Sequence, residues 1–148
     1  MPIPDFDERG FLPAGVHDCT LAELKARFGV FQDSDRRPKL FAQLESFVAE
    51  AEAARLVQWL VVDGSFVTAK PDPNDIDLIL VVASGHDFTA DLSPAEYNVL
   101  SKQRVRRRYG FDLLVARAGS IEHDRWIEFF QQVRLESGRR KGIIRLSL

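Results

Sequence analysis

Apolar residues recur along the chain with two different spacings, and their order predicts a mixed α/β protein. From residue 39 to about 56 they fall three or four positions apart, which predicts an amphipathic helix. Shorter apolar runs predict strands at 58–62, 75–83, 111–116 and 143–148. The run that follows Asp75 is apolar at nearly every position, so we expect a strand buried on both faces, with helices on both sides of the sheet.

Capping residues mark where further helices begin and end. Thr20 and Glu23 form a capping-box pattern for a short helix that ends near residues 28–29. Ser93, followed by Pro94 and Glu96, opens a second helix that we expect to run to about residue 109. A third amphipathic helix is predicted over 121–135. Residues 1–18 are predicted to be an extended lead-in, and the QDSDRRP stretch to be a loop.

Length, charge and cysteine content narrow the class of protein. With 148 residues, 45% of them hydrophobic, the chain fits one domain, 1–148, in which residues 1–56 form an N-terminal extension with helices. A net charge of −2 argues against a dedicated nucleic-acid binder, and one cysteine excludes an internal disulfide. The start of the chain lacks a signal-peptide pattern and no apolar run could span a membrane, so we expect a cytoplasmic protein.

The candidate chemistry lies between residues 61 and 82. Gly64-Ser65 is followed, after the spacer 66–74, by the triplet Asp75-Ile76-Asp77 at the head of an apolar run. Alternation along a strand would place Asp75 and Asp77 on one face, as a pair of hard oxygen ligands of the kind that Mg²⁺ prefers. A Gly-Ser turn offers backbone N–H groups and a hydroxyl to a phosphate. An Asp-x-Asp pair alone is more often a turn or a solvated strand end, whereas its combination with Gly64-Ser65, and with a further aspartate, Asp112, in the apolar run 111–116, favours a metal site.

This arrangement resembles the signature of the DNA polymerase beta-like nucleotidyltransferase superfamily. Asp63 departs from it, since a hydrophobic residue is usual before the Gly-Ser pair. The superfamily carries a third carboxylate on a later strand, and Phe111-Asp112-Leu113-Leu114-Val115 matches that element. Nearly the whole chain also looks like a group of short bacterial nucleotidyltransferase-like proteins, or minimal nucleotidyltransferases. The resemblance implies a nucleotidyltransferase fold, of the α/β (α+β) class, with a small mixed central sheet flanked by helices.

The resemblance also implies a reaction, the transfer of a nucleoside monophosphate from an NTP, with ATP expected, to an acceptor hydroxyl. Asp75 and Asp77 would hold one Mg²⁺ or Mn²⁺, and together with Asp112 a second. Gly64 and Ser65 would cradle the β- and γ-phosphates. Lys70 would neutralise pyrophosphate or else be an ordinary solvated lysine. The basic runs at 104–108 and 139–141 would grip triphosphate or an anionic acceptor, although runs of this kind are usually solvated.

The sequence leaves the acceptor open. Superfamily analogy favours AMPylation of a protein over modification of RNA or a small molecule, with a toxin–antitoxin or defence system as the setting. The chain has little length after Asp112 for an acceptor-binding domain, so the acceptor surface would come from the N-terminal residues, a second subunit in an oligomer, or a partner protein. The alternative is a non-catalytic binding module with the same fold, such as an antitoxin that covers its partner.

Overall fold

The described part of the chain folds into one sheet with helices packed on it. The computed structural model describes residues 3–133 and 138–148. The strands of the sheet are β1 (Gly15–Cys19), β2 (Val57–Asp63), β3 (Asp77–Val82), β4 (Asp112–Arg117) and β5 (Gly142–Ser147). The helices are α1 (Leu21–Phe28), α2 (Arg36–Ala54), α3 (Pro94–Leu100), α4 (Lys102–Tyr109) and α5 (Ile121–Phe130), and a 3₁₀ turn covers Ser65–Val67.

The five strands form a mixed sheet in the order β1-β5-β2-β3-β4. The outer pairs β1/β5 and β3/β4 are parallel, while β2 is antiparallel to both of its neighbours, β5 and β3. This confirms the α/β class expected from the sequence. It also places β2 and β3, the strands that flank the Gly-Ser motif, side by side at the centre of the sheet.

Two apolar clusters show that both faces of the sheet are covered, as the continuous apolar run of β3 predicts. One face packs against α1 to α4 through residues such as Leu24, Phe47 and Val105. The other face packs against α5 through Phe130 and Trp126. Alternate residues of β3 enter the two clusters, because successive side chains of a strand point to opposite faces.

The lead-in predicted over residues 1–18 is wrong at its end, where β1 forms an edge strand. Of its side chains, His17 and Asp18 are polar, so no apolar alternation marks it. Its strand character comes from pairing with β5, which places Asp18 beside Arg145. The Arg145 guanidinium donates two hydrogen bonds, of 2.5 and 2.9 Å, to the Asp18 carboxylate.

The long helix predicted from Ser93 to about residue 109 is divided in two. Ser101 has an extended backbone (φ −81°, ψ 115°), ends α3, and accepts a hydrogen bond from the amide of Arg104, so it caps α4. A serine that caps the following turn competes with continuous helix, and this explains the break.

Other boundaries differ by a few residues. Helix α2 begins at Arg36, inside the predicted QDSDRRP loop, and ends at Ala54 rather than near 56. Helix α5 ends at Phe130, not at 135, and residues 134 and 135 of the predicted helix lie outside the described part of the chain. Both predicted capping boxes, those of Thr20 with Glu23 and Ser93 with Glu96, are confirmed.

Candidate functional site

Three aspartates form a row across the sheet at one end of its central strands. Asp63, the last residue of β2, is paired with Asp77, the first residue of β3, and Asp77 is in turn paired with Asp112, the first residue of β4. Residues in register on neighbouring strands point to the same face, so the three side chains lie on the face that α5 covers. Two of the three, Asp77 and Asp112, are residues that the sequence singled out.

Asp75 joins this row from a loop rather than from the strand. Strand β3 begins at Asp77, so the expectation that 75–83 is one strand is wrong at its start and alternation does not place Asp75. Ser65 places it instead, since its backbone amide donates to Asp75 Oδ1 at 2.9 Å and its hydroxyl donates to the same oxygen. The Ser65 hydroxyl also accepts from the amide of Asn74 at 3.0 Å. Ser65 therefore ties the Gly-Ser turn to the loop that carries Asp75.

Gly64 lets the turn approach that loop closely. Its φ is +96°, in the region that side chains rarely adopt, and a Cβ placed on it would lie 2.8 Å from the carbonyl oxygen of Asp75. The same Cβ would lie 3.2 Å from the amide nitrogen of Asp77. A side chain at position 64 would therefore crowd the backbone that carries Asp75 and Asp77. This close approach requires glycine more strongly than the conformation of the turn alone does.

The carboxylates differ in their affinity for a proton. Burial, and after it the charges of Asp75, Asp63 and Asp112, together raise the pKa of Asp77 to about 6. Burial also raises the pKa of Asp75, but the hydrogen bonds from Ser65 outweigh it and leave that pKa below its usual value. Asp77 is therefore the point where negative charge is most crowded, and an added cation would relieve that crowding.

Asp63, which stands where the superfamily signature has a hydrophobic residue, is as buried as such a residue would be, with 4% of the whole residue exposed. Its Oδ1 accepts a hydrogen bond of 2.8 Å from Nζ of Lys141, whose side chain is itself only 15% exposed. Burial raises the pKa of Asp63, and Lys141 opposes that rise. The sequence placed Lys141 in a basic run of undecided role. In the sequence, the signal for a nearby cation was the position of Asp63 at the end of the apolar run of β2, since a carboxylate buried there needs a partner of opposite charge.

Asp112 lies in register with Asp77 but faces water. Its side chain is 62% exposed and forms an ion pair with Arg106 of α4. It is not among the residues that line the cleft described below. The structure thus places Asp112 on the expected face and strand, but its carboxylate forms an ion pair with the Arg106 side chain.

The remaining site residues line one cleft of about 1340 Å³ at this end of the sheet. The residues that line it include Gly64, Ser65, Lys70, Asp75, Asp77 and Lys141. The end of α5, with Phe129 and Phe130, and residues 138–140 line the same cleft. The cleft is large enough for a nucleotide, since ligand pockets typically measure about 300–1,000 Å³.

A buried arginine that the sequence assigned to a loop holds the segment between Ser65 and Lys70. Arg37 is 2% exposed, and its two terminal nitrogens donate to four carbonyl oxygens, at distances of 2.5 to 3.2 Å. The acceptors are the carbonyls of Phe28, Phe66, Thr68 and Lys70. The planar guanidinium thereby fixes the backbone that leads from the Gly-Ser turn to Lys70.

The donor set fits a divalent cation at two carboxylates. Asp75 and Asp77 both line the cleft, and crowded negative charge at Asp77 is what such an ion would neutralise. Mg²⁺ is commonly bound by one or two carboxylates together with substrate phosphates. Within residues 3–133 and 138–148, no group of three or more His, Cys, Asp or Glu side chains is arranged to hold a metal ion. Asp75 and Asp77 are therefore the residues that fit a divalent cation, and Asp112 is not part of this pair.

The fold and the site together define a small α/β protein with an aspartate-rich cleft at one end of a mixed sheet. Residues 4–147 match DUF6932, a family of unknown function, and the chain belongs to that family. No curated protein matches the chain, and no solved structure does. In the described residues, no helix combines the length and the apolar character needed to cross a membrane.

Proposed function

We propose that this protein is a Mg²⁺- or Mn²⁺-dependent nucleotidyltransferase with a nucleotidyltransferase-type fold, acting in the cytoplasm. The observation that carries the proposal is the meeting of Asp75 and Asp77 with the Gly64-Ser65 turn in one cleft, at the end of the central strands. The superfamily resemblance predicted that these residues act together, and the fold brings them together from two chain segments.

In this proposal Asp75 and Asp77 hold the cation. It would supply positive charge to the NTP phosphates and to the attacking hydroxyl when bound. Ser65 orients Asp75 by two hydrogen bonds to Oδ1, which keeps the other carboxylate oxygen available. Lys70 lines the same cleft and would contact the leaving pyrophosphate. Asp112 would accept the proton of the acceptor hydroxyl after its carboxylate leaves Arg106, an exposed pair that costs little to separate.

The acceptor rests on the resemblance alone, which favours a protein over RNA or a small molecule and a toxin–antitoxin or defence setting. The test is incubation with each labelled NTP, Mg²⁺ or Mn²⁺, and a cell lysate. We expect the label, from ATP in the first instance, to appear on protein, and Asp75→Ala to reduce transfer ~10²-fold or more, since lost charge stabilisation acts on the transition state. Asp91→Ala is the matched control, because Asp91 is exposed and does not line the cleft.

A second candidate, a non-catalytic binding module, is favoured by one specific observation. The amide and the hydroxyl of Ser65 both donate to Asp75, and Arg106 forms an ion pair with Asp112. Two of the expected catalytic carboxylates, Asp75 and Asp112, therefore already have polar partners within the chain. The lysate experiment separates the candidates. If no NTP labels any fraction, while a biological activity survives Asp75→Ala at full strength in a protein whose circular dichroism is unchanged, the binding module is right.

A further inference from the structure

The buried pair of Asp63 and Lys141 calls for an explanation beyond packing. Both side chains are largely buried, at 6% and 15% exposure, and an ion pair in such a place stabilises a fold no better than two well-packed apolar residues would. The superfamily signature has a hydrophobic residue where Asp63 stands. A buried charged pair that lines a carboxylate-rich cleft points to a use for its charge in ligand binding.

The backbone around Lys141 is fixed on both sides. The amide of Lys141 donates to the carbonyl of Gln131 at 2.7 Å, and the amide of Gly142 donates to the carbonyl of Leu12 at 2.8 Å. Gly142 has no room for a Cβ, which would clash with the carbonyl oxygen of Pro13. The backbone of Lys141 is therefore held in position by hydrogen bonds, and Asp63 binds the ammonium group at the end of its side chain.

The side chain of Lys141 lines the cleft among acidic groups. Lys141 lines the cleft together with Asp63, Asp75 and Asp77. Its charge lowers the pKa of each of these three carboxyls, so it is close enough to act on all of them. An ammonium has three N–H donors, of which Asp63 engages one, and the others can donate to an anion that enters the cleft.

We propose that Lys141 is a phosphate-binding residue of the cleft, held in position by Asp63, and that the ligand it receives is the triphosphate of a nucleotide. This inference deepens the proposed function and rests on it. Lys70 and Lys141 would then contact the polyphosphate from different segments of the chain, in the same cleft as Asp75 and Asp77, which would hold the cation. Asp63 is a positioning residue, because it acts on the ligand only through Lys141.

The test measures binding of inorganic triphosphate, with Mg²⁺ present, by calorimetry and by thermal shift. Lys141→Met should weaken binding by about tenfold or more, since a hydrogen bond between charged groups is lost. Because this variant leaves Asp63 buried and unpaired, it also loses stability. The double variant Asp63→Leu/Lys141→Met restores an apolar contact, and we expect it to regain stability while still binding triphosphate weakly. Lys102→Met, on the exposed start of α4, is the matched control and should bind as the wild type does.

The double variant decides between a ligand-binding and a structural role. If it binds triphosphate as tightly as the wild type, the pair is structural and the inference is wrong, and absence of triphosphate binding by the wild type overturns it as well. The probe undergoes no transfer, so the two proposals can fail separately. Lys141-dependent binding without label transfer from any NTP would defeat only the proposed function, whereas transfer with a KM for NTP unchanged by Lys141→Met would defeat only this inference.

Discussion

Replacing Asp77 with Asn tests the crowding of charge in the aspartate row. The pKa of Asp77 rises from an ordinary value of 3.8 to about 6 in the folded protein, so folding disfavours its charged form. Because the folded pKa is above the unfolded one, the contribution of Asp77 to stability is most favourable at low pH, where both states are protonated, and falls as the pH rises from about 4 to 6. Above that range the difference between the two pKa values corresponds to about 3 kcal/mol of destabilisation.

Asn cannot ionise, so the variant escapes this penalty. At pH 7 and without divalent cations we expect Asp77→Asn to raise the free energy of unfolding by up to about 3 kcal/mol, or the melting temperature by up to roughly 6–12 °C for a chain of this size. At pH 4 the two proteins should have nearly equal stability. Asp91→Asn, at an exposed position, is the control and should change stability by less than about 0.5 kcal/mol at either pH.

The assay is thermal unfolding followed by circular dichroism from pH 4 to 8, with and without Mg²⁺ or Mn²⁺. A bound cation should stabilise the wild type and not Asp77→Asn, because ligands that bind the folded state alone raise its stability by mass action. If the variant differs from the wild type by the same amount at pH 4 and pH 8, the pKa of Asp77 is not raised in the folded protein, and neither burial nor the neighbouring carboxylates disfavour its charge. If both proteins respond equally to the cation, Asp77 is not part of a metal site.

Three further predictions concern the framework of the site. Gly64→Ala should destabilise by more than Gly110→Ala, since both have positive φ but only at Gly64 does a Cβ meet the backbone of Asp75; urea unfolding compares them. Arg37→Met should cost about 3 kcal/mol or more, since four carbonyl acceptors lose their donor, and equal stability in urea would contradict that. Burial raises the pKa of the Cys19 thiol to about 12, so it should react with a disulfide reagent at pH 8 only after unfolding, and rapid labelling of the folded protein would refute this.

Local signals in the sequence predicted the elements whose causes are local. The Thr20 and Ser93 capping boxes are confirmed because each is complete within four residues. The central strands were found to within two residues because their apolar runs are uninterrupted. The division at Ser101 was missed, since a single serine in a helical pattern is compatible with either a continuous or a broken helix.

What the sequence could not show depends on pairing between distant segments. Strand β1 carries no apolar pattern, and its partner β5 is far along the chain. The row of Asp63, Asp77 and Asp112 follows from the register of three strands, which spacing within one strand does not reveal. The choice of Lys141 as the partner of Asp63 likewise follows from the pairing of β2 with β5. The motif indicated which residues belong to the candidate site, but not which lysine and arginine side chains form ion pairs with the aspartates there.

The position of β5 has a consequence for how the chain folds. β5 lies between β1 and β2, and both of these strands precede it in sequence. Its contact with β1 joins residues as far apart as Asp18 and Arg145, 127 positions away. Contacts of such high contact order form slowly, because closing a long loop costs entropy before any pairing rewards it. Until β5 arrives, β1 lacks its partner strand and β2 keeps an open edge, so the nascent chain exposes a template for pairing with other chains. Aggregation during folding, rather than instability of the finished sheet, is the hazard that this strand order creates.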